Sequence, residues 1–310
     1  MLTGIEIENF RGIRKGKVDG FGAVNVVVGP NGSGKSSLLE AIFLGAAESN
    51  QAMIGGESVR SVLTERHNER NFPSVDMHYG KDGERVIEVI YDFEGNTAPL
   101  SVTKSDIGWK PNGIQDGLRR WFAASKFLDI RLLLDTAVEQ ALWDAVLAIR
   151  ADRDIVKTLN EVYKLSIEGL SYSKHSDVLK VLFSNRNYSL NVDDLGAGMR
   201  IALRVLMLAM LMNDGALIIE ELDAYQHVDS MPEFTRALVA MARENSTQLF
   251  LATHSEETIG GFVEAAKDEG VGFRLIQTSL SADGVLETAS FDAIQTSDLH
   301  DAGVDVRQGG

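Results

Sequence analysis

Alternation of apolar and polar residues marks strands at the start of the chain. "GIEIENF" places Ile5 and Ile7 on one face, and "VNVVVG" is a continuous β-branched run of the kind buried on both faces of a parallel sheet. "KSSLLEAIFLGAAE" then changes to helical spacing. From about Val75 to Thr103 the runs "VDMHYG", "ERVIEVIYDFE" and "APLSVT" alternate in short stretches broken by "KDG" and "EGN", which predicts an antiparallel meander. Helical patterns dominate from Gln115 to Tyr163, clearest in "AVEQALWDAVLAI" and "DIVKTLNEVYK", with one short strand in "KFLDIR" around Asp129. "VLKVLFSNRNYSLNV" reads as a hairpin turning at "SNRN". Beyond it strand and helix alternate through "ALII", "MPEFTRALVAMARE", "QLFLATHS" and "EETIGGFVEAAKD", before the strands "FRLIQTS" and "GVLETAS" and a polar tail.

That alternation predicts an α/β fold, a mainly parallel sheet flanked by helices, with an antiparallel β addition. The expected organisation is a single domain over residues 1–310. Its core comes from 1–50 and 195–290, a β appendage from 75–103, a helical lobe with a hairpin from 112–190, and a polar tail from 291–310. No heptad pattern is sustained between residues 50 and 190, so long coiled-coil arms are not expected.

Composition narrows the class. The chain has 310 residues, of which 44% are hydrophobic, enough for a packed core. Its 45 acidic against 30 basic residues give a formal charge of -15, which argues against unspecific wrapping of nucleic acid over the whole surface. With no cysteine, disulfides and thiolate metal sites are excluded. "MLTGIEIENF" lacks the features of a secretory signal, and no apolar run approaches the roughly 20 residues of a membrane span. The expectation is a cytoplasmic protein with no membrane association.

"GPNGSGKS", Gly29 to Ser36, fits G-x-x-x-x-G-K-[ST] and stands between a strand and a helix, where a phosphate-binding loop must stand. Its glycines let amides of Asn31, Gly32, Ser33 and Gly34 approach a phosphate. Lys35 would reach the β- and γ-oxygens, Ser36 would offer its hydroxyl to Mg²⁺, and Ser37 follows on the same turn. "ALIIEELDAYQH" is an apolar strand ending in two carboxylates, Glu220 and Glu221. One would hold the metal, Glu220 with Ser36, and the other would orient or deprotonate water. "QLFLATHS" ends a third strand at His254, beyond the carboxyl end of a sheet strand, where ligands of α/β folds lie. A glycine turn, a solvated acidic strand end and a histidine beside the helix cap Ser255 are the ordinary alternatives to these three readings. The other five of the six histidines have no ligand spacing.

A second loop complicates the picture. "DDLGAGMR" opens the apolar run "MRIALRVLMLAMLM", so it resembles another anion-binding helix start, but an incomplete one. Taken with "IENFRGI", "GPNGSGKSSLLEAI", "LIIEELDAYQH" and "LFLATHS", it makes the chain resemble ABC-class P-loop ATPases. These include RecF, the heads of structural-maintenance-of-chromosomes proteins and, nearest in motif, OLD-like ATPases. The resemblance implies ATP and Mg²⁺ as cofactors and ATP hydrolysis, with Glu221, Glu220, His254 and Lys35 as the catalytic set. It also implies that Leu195, Gly196, Ala197, Gly198 and Met199 complete the site of a second copy in a homodimer that sandwiches ATP, with higher oligomers left open.

The chain departs from the family pattern at several positions. Glu220 stands for the usual Asp. Gly196 stands for a common Ser, Ala197 for a common Gly, and Tyr225 and Gln226 replace residues often Gly and Leu, although His227 is kept. No Gln clearly links the metal to the helical lobe, and Asp129 and Arg131 occupy about that place. "RGIRKGK", with Arg11, Arg14, Lys15 and Lys17, is either a solvated turn, a contact from Arg11 to the nucleotide, or a DNA-docking patch; "LRRW" at Arg119, Arg120 and Trp121 is equally ambiguous. No nuclease-like acidic domain follows residue 290, so an effector is expected on a separate polypeptide, in DNA maintenance or in defence against mobile DNA. A nucleotide-gated scaffold with negligible turnover, a small-molecule phosphotransferase and a transporter ATPase are the competing classes.

Overall fold

The β-branched run Val24–Val28 lies inside the molecule, with all five residues buried and parallel neighbours on both sides. The computed structural model describes residues 1–48, 58–69, 71–110, 113–128, 136–173 and 178–307. In chain order the strands are β1 (Leu2–Phe10), β2 (Ile13–Asp19), β3 (Val24–Val28), β4 (Ile87–Phe93), β5 (Asn96–Val102), β6 (Ile107–Trp109) and β7 (Lys126–Leu128). They continue with β8 (Ile167–Ser173), β9 (Val178–Phe183), β10 (Ser189–Asn191), β11 (Ala216–Glu220), β12 (Gln248–Ala252), β13 (Phe273–Leu280) and β14 (Val285–Phe291). The helices are α1 (Lys35–Leu44), α2 (Val59–Glu65), α3 (Asp116–Ala124), α4 (Thr136–Ala148), α5 (Asp152–Tyr163), α6 (Ala197–Leu211), α7 (Met231–Glu244), α8 (Glu256–Glu269) and α9 (Ala293–Asp301).

Eleven strands form one sheet in the order β6-β5-β4-β1-β2-β14-β13-β3-β12-β11-β7. From β13 to β7 every pairing is parallel, and this is the half built from the predicted "VNVVV", "ALII" and "QLFLA" strands. Side chains alternate between its faces. Val24, Val26 and Val28 enter a core with α4 to α8, whereas Val27 enters a second core with α1 and α3.

The other half is largely antiparallel. The expected meander exists as β4, β5 and β6, but β4 also pairs with β1, Ile5 opposite Tyr91, so the meander extends the main sheet. "VDMHYG" is not a strand. It forms the 3₁₀ turns Val75–Met77 and Tyr79–Lys81, because Gly80 and Lys81 take left-handed φ values of 66° and 55°.

The predicted hairpin is β9 with β10, and a third strand, β8, pairs with β9. β8 escaped sequence reading because "IEGLSYS" buries only Ile167 and carries little alternation. β7 realises the start of "KFLDIR"; Asp129 and Arg131 lie outside the described residues. The tail contains α9, begun by an Asp292–Gln295 capping box. α6 carries an ion pair within its apolar run: Arg204 is fully buried and donates from Nε and Nη2 to Glu139 Oε2 of α4 at 3.0 and 2.7 Å.

Candidate nucleotide site

The loop after β3 is built by contacts that demand glycine. A Cβ on Gly29, whose φ is 146°, would meet Thr278 O of β13 at 2.5 Å and Ser33 Oγ at 2.6 Å. Ser33 Oγ bonds Thr278 Oγ1 at 2.8 Å, and Thr278 Oγ1 in turn donates to Val28 O at 3.1 Å, so the loop is braced against its neighbouring strand. Gly34 takes φ 92° and starts α1, whose first turn carries neither a side-chain cap nor an acidic residue. The first amides of such a helix attract an anion.

Lys35 Nζ turns back to donate to Gly29 O at 2.8 Å and Pro30 O at 3.0 Å. Burial lowers its pKa, against the opposing pull of Glu220 and Glu221. Glu220 ends β11 in register with Ala252 of β12. Glu221 then leaves the strand in a left-handed conformation, φ 52° and ψ 38°, with its N–H donating to Ala252 O at 3.2 Å. A non-glycine residue held there is strained, and such strain often accompanies a positioned functional group. His254 is exposed just past β12, and Ser255 caps α8 by accepting from Thr258 N at 3.1 Å.

These elements converge. Asn31, Gly32, Gly34, Lys35, Ser36, Ser37, Glu220, Glu221 and His254 line one cleft of about 280 Å³, together with Gly12, Ala252 and Leu280, which sequence reading had not named. The parallel register alone brings Lys35, Glu221 and His254 to the same sheet edge, since β3, β12 and β11 are adjacent. Mg²⁺ fits the donors present. Glu220 Oε1 is buried with no hydrogen-bond partner, and the exposed Ser36 lines the same cleft.

Two expected nucleotide ligands are placed elsewhere. Ser33 is buried, its hydroxyl spent on Thr278 and its N–H donating to Pro30 O at 3.2 Å. Arg11 turns into an ion network, with Nε 3.0 Å from Glu40 Oε2 and Nη1 on Glu69, and its neighbour Gly12 is what lines the cleft. In the rest of "RGIRKGK", Arg14 donates to Asp283 O at 2.8 Å, Lys15 is exposed opposite Glu8, and Lys17 pairs with Glu6 at 2.9 Å. In "LRRW", Trp121 is core while Arg119 and Arg120 are exposed.

Leu195, Gly196, Ala197, Gly198 and Met199 do not line the cleft. Gly196, with φ 91° and ψ 155°, precedes the first residue of α6; Gly196 and Ala197 are exposed, whereas Met199 points into the core. Gln226, a family departure, holds this turn by donating from Nε2 to Gly198 O at 2.8 Å while accepting from Tyr163 OH at 2.7 Å.

A phosphate loop between β3 and α1, paired carboxylates on the next strand but one, and a separate glycine turn are the arrangement expected of ABC-class P-loop ATPases. Residues 1–104 match the model of the RecF/RecN/SMC N-terminal domain, and residues 134–259 match that of an AAA ATPase domain. An ATP/GTP phosphatase of Helicobacter pylori is 30% identical over 101 residues, 31% of this chain and 26% of that protein. The DNA replication and repair protein RecF of Psychromonas ingrahamii is 34% identical over 95 residues, 28% of this chain and 26% of that one. The chain thus spans about a quarter of the length of either relative. In fold, it is similar to a solved SMC head bound to the C-winged helix domain of ScpA, with a TM-score of 0.62 at 14% identity over 94% of this chain and 98% of that one. The two family matches, the RecF relative and the SMC-head fold together support an ABC-class P-loop ATPase of the SMC/RecF group. Among the described residues no helix is long and apolar enough to cross a membrane.

Proposed function

We propose that the chain binds ATP with Mg²⁺, hydrolyses it, and uses the cycle as a dimerising switch. The observation that carries this reading is the cleft itself, where Lys35, Ser36, Glu220, Glu221 and His254 meet while the glycine turn at Gly196 stays outside it. In the first step the α1 amides receive the phosphates, and Lys35 exchanges two backbone carbonyls for the β- and γ-oxygens. Ser36 and Glu220 would hold Mg²⁺, which supplies charge neutralisation at the phosphates when bound. Glu221, projected by its left-handed backbone, takes the proton of the attacking water. His254 donates to charge developing at the γ-phosphate.

The backbone from Leu195 to Gly198 would close on the nucleotide of a second copy, giving a twofold dimer with two shared sites. Since Met199 is buried, exposed backbone rather than that side chain would make the contact. We assign this work to one domain across residues 1–310, and within the group the "EELDAYQH" ending favours the OLD-like branch. A separate effector protein would read the dimer, as ScpA is bound by the SMC head, in DNA maintenance or defence against mobile DNA. DNA and assemblies beyond the dimer are further candidate partners. The test is ATP-dependent dimerisation of Glu221→Gln, followed by light scattering. A variant that binds ATP and stays monomeric at saturation sinks the sandwich.

A further inference from the structure

Glu220 offers two oxygens, and a cation of the protein already holds one. Oε1 is buried without a hydrogen-bond partner, while Oε2 accepts from Arg66 Nη2. Arg66 follows α2, is 7% exposed in its side chain, and stacks its guanidinium 4.5 Å from the ring centre of Phe127 in β7. Its Nε also donates at 3.1 Å to Glu40 Oε1, on the helix that the phosphate loop opens. Glu40 is a junction: it takes Arg11 Nε at 3.0 Å and His67 Nε2 at 2.7 Å, and Arg11 extends the chain to Glu69 and to Leu63 O at 3.2 Å. Burial by itself would raise the Glu40 carboxyl, but His67, Arg11 and Arg66 together hold it below the usual carboxylate range. The segment Ser58–Glu69 is therefore tied to α1 through Glu40, to Arg11 through Glu69 and Leu63 O, to Ala47 O through Arg60 Nε at 2.9 Å, and to the catalytic strand through Arg66.

The contact of Arg66 with Glu220 conflicts with a loaded site. A divalent cation at Glu220 and a guanidinium on the same carboxylate repel at short range in a partly buried place, where screening is weak. Glu40 gives Arg66 a second carboxylate to fall back on, so losing Glu220 leaves no bare charge. We propose that Arg66 is a place-holder cation. It neutralises Glu220 while the cleft lacks Mg²⁺–nucleotide, it is displaced from Glu220 when the metal arrives, and its release frees Ser58–Glu69 from β11 while Glu40 keeps that segment on α1. α2 thereby reports metal-loaded nucleotide rather than nucleotide alone. This inference rests on the nucleotide reading of the cleft.

Two measurements test it. Hydrogen exchange over Ser58–Glu69 in the unaltered protein is compared without ligand, with a non-hydrolysable ATP analogue in EDTA, and with the analogue and Mg²⁺. Exchange rises only in the third state if Arg66 is displaced by metal. Titration of the same analogue into Arg66→Gln gives an affinity about tenfold tighter than the parent protein with Mg²⁺ present, and within about twofold of it in EDTA. If the analogue binds, yet exchange over this segment is the same in all three states and Arg66→Gln has the parent's metal dependence, the place-holder role is overturned while the nucleotide site stands. Absence of any analogue binding overturns both. The exchange arm needs no variant, so a poorly folded Arg66→Gln does not remove the test.

Discussion

Gln226 Nε2 donates a 2.8 Å hydrogen bond to the carbonyl of Gly198, joining the loop that leaves the paired carboxylates to the first turn of α6. The same amide accepts from Tyr163 OH of α5 at 2.7 Å. Three elements distant in sequence therefore share one side chain. Gln226→Leu removes both bonds while keeping much of the bulk. A neutral bond contributes about 1 kcal/mol, so ATP-dependent dimerisation should weaken roughly fivefold or more, with nucleotide affinity of the single chain within about twofold. Sedimentation at varied ATP, beside a binding titration, checks both halves.

The glycine turn should act in trans. Gly196 sits at φ 91° and ψ 155°, a region that costs a residue with a side chain about 1–3 kcal/mol, although no atom lies within 4 Å of its missing Cβ. Gly196→Ala should therefore deform the turn without filling any space, and Lys35→Ala should empty the phosphate site. Either variant alone is expected to hydrolyse little ATP. Mixed dimers hold one site with both parts intact and should regain a measurable fraction of turnover. No recovery in dimers proven to be mixed would count against two shared sites.

Arg204 and Glu139 make a buried pair in which removing one partner strands the other. Arg204→Met should cost about 3–5 kcal/mol, read by urea unfolding. Arg204→Met with Glu139→Leu should recover most of that, because neither charge is left alone and Arg200 retains Asp193 at 2.8 Å. Equal losses in single and double variants would contradict a pairwise account.

Acid should act through Glu40. Its folded carboxyl is held below the ordinary value, so the stabilisation is complete above the unfolded glutamate value near ~4.3 and is lost as pH falls through the lower, folded one. The groups facing it are Arg11, Arg66 and His67. Glu40→Gln should be less stable at neutral pH and should lose stability less steeply below about pH 4. Thermal unfolding from pH 3 to pH 7 distinguishes the two curves.

Local chemistry made much of the site legible. "GPNGSGKS" carries its own requirements for glycine, lysine and a hydroxyl, and "LIIEE" and "LFLATHS" announce buried strands ending in functional groups. Lys35, Ser36, Glu220, Glu221 and His254 accordingly line one cleft. Ser33 and Arg11 were not legible for a shared reason: the sequence shows that a polar group is near the loop, and not which neighbour claims it. Thr278 claims Ser33 from 245 positions away, and Glu40 and Glu69 claim Arg11. Arg66 gave no local signal, because its contact with Glu220 spans 154 positions.

The sequence by itself determined which segments become the parallel strands, where the phosphate loop falls, and which carboxylates end the neighbouring strand. Each depends on periodicity or on residues within a few positions of one another. Tertiary structure alone decided that the meander continues the main sheet, that Arg204 has a buried partner, that Gln226 holds the glycine turn and that Arg66 occupies Glu220. Such pairings are chosen by close packing and by the cost of leaving a buried charge or donor alone, and those constraints exist only once distant segments are brought together.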